Sequence, residues 1–331
     1  MVELPPSGLR LGFLRCYLSP MAPVNFYQEL RIIRTFAAAN NRYHCVMPEL
    51  PEVEILVRHL RPLLQGKTVR QVHVHRAKVL RPTTANELQR ALIGKTFSSL
   101  VRRGKYLRFE LRPKNSRQPV LLLGHLGMTG RMFLASKTEP IPKHAAVVLD
   151  LGRHNFVFQD TRYFGRFTLD LTAMERLGPE PLGEEFTPAY FGRELKRSQQ
   201  PIKVKLLDQA LVAGVGNIYA SEALFRAGIW PRRPANRLAV TQVNRLWATV
   251  REVLSEAIAG GSTVPLNFGV GKSDGLYYYG TVDGAENPVT ERLLVYDRHG
   301  KPCLTCATPV KRIVQAARST FFCPRCQKNA K

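Results

Sequence analysis

Apolar residues fall along the chain in three regimes. Val53, Leu56, Val57, Leu60 and Leu64 recur every three or four residues, which predicts one amphipathic helix, with Pro51 in its first turn and Gly66 just past its end. From about residue 69 to 172 the pattern changes to short alternating or apolar runs, such as 69–74, 106–111, 119–123, 145–151 and 156–159. Gly and charged residues separate these runs, as in a β-sandwich or barrel. Residues 173–201 are mixed and Pro-rich, and read as a linker. Helical spacing returns from Ile202 to Gly260, where Val243, Leu246, Val250, Val253, Leu254 and Ile258 give one helix a broad apolar face. Residues 261–290 are rich in Gly and Tyr and read as a long loop.

Charge narrows the class of partner. The 331 residues hold 49 Lys plus Arg and 25 Asp plus Glu, a net +24. That excess favours a polyanion, because cations that neutralise phosphates release condensed counterions. No apolar run approaches the ~18 residues of a membrane-spanning helix. Residues 1–46 carry five Arg, no Lys and two acids, so the basicity belongs to the rest of the chain. This extension has no secretory core, since Arg15 interrupts its apolar stretch, and it reads as a mis-assigned start or a removed segment.

The cysteines add a metal. Cys303-x2-Cys306 and Cys323-x2-Cys326 flank 16 residues, a spacing that lets four thiolates surround one tetrahedral zinc ion. Two disulfides are the competing reading, weakened by the missing signal peptide. Residues 300–331 hold seven cations and no acid, which suits nucleic acid better than an acidic protein surface.

Two segments suggest chemistry. In Gly214-Val215-Gly216-Asn217, two glycines make a turn and Asn217 is placed to cap the next helix, so the helix N-terminus is either an anion site or an ordinary glycine corner. Met47-Pro48-Glu49-Leu50-Pro51-Glu52 sets carboxylates around the start of the first helix. The helix dipole alone favours them there. If Met47 were removed, however, Pro48 would present a secondary amine able to attack a sugar C1′ and form an iminium. Inside the 331-residue chain the same nitrogen is an amide, and its lone pair is held in resonance.

From Met47 onward the chain resembles the bacterial formamidopyrimidine-DNA glycosylases, of the formamidopyrimidine/endonuclease VIII family. The resemblance rests on Pro48–Glu54, on His125-Leu126-Gly127-Met128-Thr129-Gly130, on Asp160-Thr161-Arg162-Tyr163-Phe164-Gly165, on Gly214–Glu222 and on the four cysteines. It implies an α+β fold: an N-terminal helix plus β-sandwich lobe over 47–180, a linker over 181–201 and a helix–two-turns–helix lobe over 202–295. A four-cysteine zinc-finger hairpin follows over 296–331, with one structural zinc ion.

The resemblance implies a bifunctional enzyme that excises oxidised purines from double-stranded DNA and cuts the abasic site by β,δ-elimination. Pro48 would be the nucleophile, Glu49 the proton donor, and Lys105 and Arg318 phosphate contacts that assist elimination. His125, His144, Arg162, Lys203, Asn217 and Tyr296 would contact DNA. Met128, Arg162 and Phe164 would fill the gap left by the extruded nucleotide, since attack at C1′ takes the base out of the stack. Glu52 and Glu222 would be accessory carboxylates. A monomer acting in the bacterial cytoplasm at the nucleoid is the implied setting. The 269–291 loop is longer than is usual in the family, which bears on lesion selectivity. The alternatives are an endonuclease VIII-like enzyme for oxidised pyrimidines, and a non-catalytic binder of damaged DNA that retains the extension.

Overall fold

A computed structural model describes residues 48–113, 118–260 and 293–328. The extension and the 269–291 loop lie outside the described residues. Helix α1 (Leu50–Leu64) begins behind Glu49 and ends before Gly66, whose φ of +77° suits a glycine stop. Its stripe from Val53 to Leu64 enters the sandwich core, whereas Leu50 belongs to the second, helical core. The helix therefore joins both lobes through opposite ends of one apolar face.

The sandwich has two antiparallel four-stranded sheets. One runs β1 (Gln71–Val74), β6 (Ala145–Asp150), β7 (His154–Asp160), β5 (Gly130–Ser136). The other runs β2 (Thr96–Arg103), β3 (Tyr106–Arg112), β4 (Val120–His125), β8 (Arg166–Thr168). Phe97, Phe109, Phe156 and Phe167 meet between them at tilted and edge-on angles. Helix α2 (Ala85–Leu92), absent from the sequence reading, shows only Leu88 and Leu92 to the core, too few to mark a period. Its N-terminus is fixed by a Thr84/Glu87 capping box.

The stretch read as a linker is not one. After the short α3 (Thr172–Glu175), helix α4 (Pro188–Lys196) starts at Thr187 and buries Phe191 and Leu195 in the helical core beside Phe186. Trp247 Nε1 donates to Phe186 O, and Arg251 donates to Pro181 O, both at 2.6 Å. Nine residues with two apolar contacts carry too little periodicity to stand out against Pro-rich flanks. The lobe is completed by α5 (Ile202–Leu206), α6 (Asn217–Arg226) and α7 (Val240–Gly260). Among the described residues no helix is long and apolar enough to cross a membrane.

The last module is a hairpin of β9 (Lys311–Gln315) and β10 (Arg318–Phe322). Its small core takes in Phe225 of α6. Gln327 donates to Ile229 O and Gln315 to Pro231 O, both buried, so polar bonds also hold the module on the helical lobe.

Candidate active site

Glu49 is 2 % exposed and sits at two helix N-termini at once. It precedes α1, where its own N–H donates to Glu52 Oε2 at 2.8 Å. Its carboxylate accepts the backbone N–H groups of Ile218, at 2.9 Å, and Tyr219, at 3.4 Å, in the first turn of α6. The expected anion site is thus filled by a carboxylate from the same chain. Asn217 is not the cap either: Gly216 holds that position with extended backbone, and Asn217 is the first helical residue. A protein carboxylate satisfies the free donors and the helix dipole as a phosphate would, with no ligand needed.

Gly216 makes this arrangement possible. A Cβ there would lie 2.3 Å from the Glu49 carboxyl carbon and 2.6 Å from Lys105 Nζ. Lys105, on the β2–β3 turn, therefore approaches the same glycine as Glu49. Burial depresses its pKa; Glu49 opposes that shift and Arg318 adds to it. The turn itself is gripped by Glu180, which accepts Gly104 N at 2.6 Å, Arg102 at 2.6 Å and Arg103 at 3.1 Å.

Lys203 completes the cationic side. It is 1 % exposed, and Nζ donates to Asn217 Oδ1 at 2.6 Å. Burial brings its pKa down to about 7, partly offset by Glu49 and reinforced by Arg318 and Lys105. Asn217 Nδ2 in turn donates to Ser319 O at 2.9 Å, next to exposed Arg318. Tyr296 packs edge-on against Phe321, and burial pushes its phenol up to about 12. The structure thus gathers Glu49, Lys105, Lys203, Asn217, Tyr296 and Arg318, with half-buried Pro48 adjoining Glu49.

His125 lies on β4 opposite Tyr106, their rings 4.7 Å apart. Burial first, then Lys105 and Arg166, bring its pKa down to about 4. Its Nδ1 accepts Gly127 N at 3.1 Å, which leaves the proton of the neutral ring on Nε2 as a donor. Asp160 ties the two adjacent loops together. It accepts Thr129 Oγ1 from the Met128 loop, and Arg162 N and Gly165 N from the next. Phe164 is 48 % exposed rather than buried in the sandwich, with Arg162 and Lys78 over its ring at 5.0 and 5.6 Å. Met128 is half-buried.

His144 accepts Asp160 N at its backbone O at 3.0 Å and lines a cavity of about 350 Å³ with His75, Arg76, Lys143 and Tyr163. Its Nδ1 lies 3.4 Å from the Tyr163 hydroxyl, and Arg76 lies 5.5 Å from the Tyr163 ring. Glu222 is tied to the site through the main chain of Tyr296. Its buried carboxylate accepts the N–H groups of Leu294, Val295 and Tyr296 at 2.8–3.0 Å, holding the lead-in to the C-terminal module.

Sequence reasoning missed the contacts of Glu180, Tyr219, Asp160, Arg76 and Lys78. Asp160 and Tyr219 lie inside the motifs that carry the resemblance, but their partners, like those of Glu180, sit on segments distant in sequence. Arg76 and Lys78 read as ordinary surface cations.

The four thiols of Cys303, Cys306, Cys323 and Cys326 lie within 4.8 Å of one another, with three pairs at 3.4, 3.4 and 3.8 Å. Tetrahedral zinc with bonds near 2.3 Å needs sulfurs about 3.8 Å apart, so the set fits one structural zinc ion with no open position.

Three family models match the chain: the Formamidopyrimidine-DNA glycosylase N-terminal domain over residues 47–167, its H2TH domain over 177–267, and the zinc finger found in FPG and IleRS over 300–329. The formamidopyrimidine-DNA glycosylase of Thermus thermophilus is 45% identical over 289 residues, covering 85% of this chain and 98% of the relative. That of Carboxydothermus hydrogenoformans is 38% identical over 282 residues, covering 85% and 100%. A crystal structure of the Lactococcus lactis glycosylase, non-covalently bound to DNA containing an AP site, superposes with a TM-score of 0.72 at 30% identity, covering 85% of this chain and 100% of that one. The chain belongs to the formamidopyrimidine-DNA glycosylase family.

Proposed function

We propose that this protein is a DNA glycosylase that excises oxidised purines and then cuts the abasic site, with Pro48 as nucleophile. The observation that carries the reading is the seating of Glu49: the residue after Pro48 is locked onto the α6 N-terminus inside an arc of Lys105, Lys203 and Arg318. The relatives' name supports purine lesions over oxidised pyrimidines.

Pro48 N attacks C1′, and the base leaves with the electron pair of the C1′–N bond and is protonated by water. The proton lost by the Pro48 nitrogen passes to the Glu49 carboxylate, which delivers it to the ring oxygen, and the sugar opens as an iminium on Pro48. Lys105 contacts phosphate and assists loss of the 3′ phosphate. Arg318 assists loss of the 5′ phosphate. His125, Lys203, Asn217 and Tyr296 grip the backbone around the lesion. Met128, Arg162 and Phe164 fill the gap in the stack, for which an exposed ring flanked by cations is suited. Glu52 and Glu222 support the site from behind, one through Glu49 and the other through the segment before the zinc module. The zinc ion holds the hairpin that carries Arg318. The protein acts as a monomer on double-stranded DNA at the bacterial nucleoid, with 47–180, 202–295 and 296–331 as its working lobes.

This chemistry requires Pro48 to be the first residue. The N-terminal family match begins at Met47, and 85% of this chain covers nearly the whole of its relatives. Both facts support a working chain that starts at Pro48 after removal of Met47. Borohydride added during reaction with 8-oxoguanine duplex is expected to trap a covalent adduct with protein beginning at Pro48, and none with the 331-residue chain. No adduct from the Pro48-initiated form overturns the reading. An adduct from the longer form places the nucleophile elsewhere.

A further inference from the structure

Tyr219 touches both carboxylates at the start of α1, yet takes no part in the chemistry above. Its phenol donates to Glu52 Oε1 at 2.7 Å, and its backbone N–H donates to Glu49 Oε2. Glu52 Oε2 accepts the Glu49 backbone N–H. The contacts close a ring: Tyr219 phenol to Glu52, Glu52 to the Glu49 main chain, and the Glu49 carboxylate back to the Tyr219 main chain. Each of the three residues is 2 % exposed.

Building on Glu49 as proton donor, we propose that Tyr219 is a positioning residue for base excision, acting on Glu49 through Glu52. Two carboxylates buried side by side repel, and each needs donors to hold its place. Ile218, Tyr219 and Glu49 supply backbone donors; the phenol supplies the donor to Glu52 Oε1. Burial and neighbouring Glu49 raise the Glu52 pKa to about 7, and the phenol works against that rise. Among the described residues, the charged or titratable groups facing Glu52 are Glu49 on its own element, Tyr219 on α6 and Lys105 on the β2–β3 turn. Without the phenol, Glu52 loses an anchor and the Glu49 main chain loses a fixed acceptor.

The consequence is selective. Opening a closed deoxyribose needs a placed proton, whereas an existing abasic site is partly an open aldehyde already. Excision should therefore depend on Tyr219 more than strand cleavage does.

The test uses Pro48-initiated protein, 8-oxoguanine duplex and preformed abasic duplex under single-turnover conditions. Tyr219→Phe keeps the buried ring and is expected to slow excision roughly tenfold to a hundredfold, part of what a placed proton donor contributes, with abasic cleavage within about twofold. Glu52→Gln should also slow excision, and the Tyr219→Phe/Glu52→Gln double variant should be no slower than the slower single. Affinity for an abasic-analogue duplex should be unchanged. Equal loss in both reactions, loss of affinity, unchanged excision, or multiplying losses in the double variant each overturns the assignment. Wild-type protein that neither excises nor is trapped overturns the proposed function, and this inference with it.

Discussion

Ile218 donates its backbone N–H to the Glu49 carboxylate across 169 positions of sequence. This bond docks the start of α1 onto a helix of the other lobe, with Pro48 next to Glu49 in sequence. Because the donors are backbone groups, an amide oxygen can replace the carboxylate as their acceptor. Glu49→Gln is expected to fold and bind DNA as the parent does, with excision reduced about 10²–10⁴-fold. Thermal melting and single-turnover excision check the two halves separately.

Gly216 leaves no room for a methyl group beside Glu49 and Lys105. Gly216→Ala should push the two side chains apart, cost about 1–3 kcal/mol of stability, and impair excision and abasic cleavage together. Denaturant unfolding and the two cleavage assays measure these effects. Retention of both activities would show that the crowding is relieved elsewhere.

Lys203, as a proposed phosphate contact, should give DNA binding a pH signature. Its pKa falls from 10.5 to about 7, so it is charged below pH 7 and increasingly neutral above. A phosphate stabilises the charged form, so binding above pH 7 should take up a proton and affinity should fall as pH rises. Lys203→Gln should flatten that part of the profile, as read by titration of an abasic-analogue duplex in buffers of differing ionisation enthalpy.

Zinc removal should act on binding through Arg318. The four-thiol site orders the hairpin, and Asn217 holds it at Ser319. Chelation is expected to weaken affinity for abasic-analogue duplex, and measured zinc content should track the loss. Full affinity after verified metal loss would contradict this.

The cavity at His144 should contribute one phosphate contact. Its four basic residues face no acid among those lining it. Arg76→Ala should weaken binding to damaged and undamaged duplex alike and lower the slope of log affinity against log salt by about 0.9.

The turn before Arg318 is strained. Ala316 and Ala317 have φ of +46° and +58° in a two-residue hairpin turn that usually takes Asn and Gly. Ala317→Gly should raise stability by about 1 kcal/mol, read as a shift in the unfolding midpoint.

Much of this was legible in the residues. The stripe from Val53 to Leu64 and the short alternating runs specify a helix and a sandwich, because burial of one face imposes a period. The two CxxC pairs specify a four-thiol site, because ligand spacing is local. Tertiary structure alone decided that Glu49, rather than a ligand, fills the α6 N-terminus, that Asn217 turns toward Lys203 and Ser319, and that Glu222 holds backbone. It also decided that the Pro-rich stretch near 190 packs as a helix in the core. The reason is physical. Periodicity records which side a residue faces, whereas a buried carboxylate takes whichever donors the packing of distant segments brings within reach.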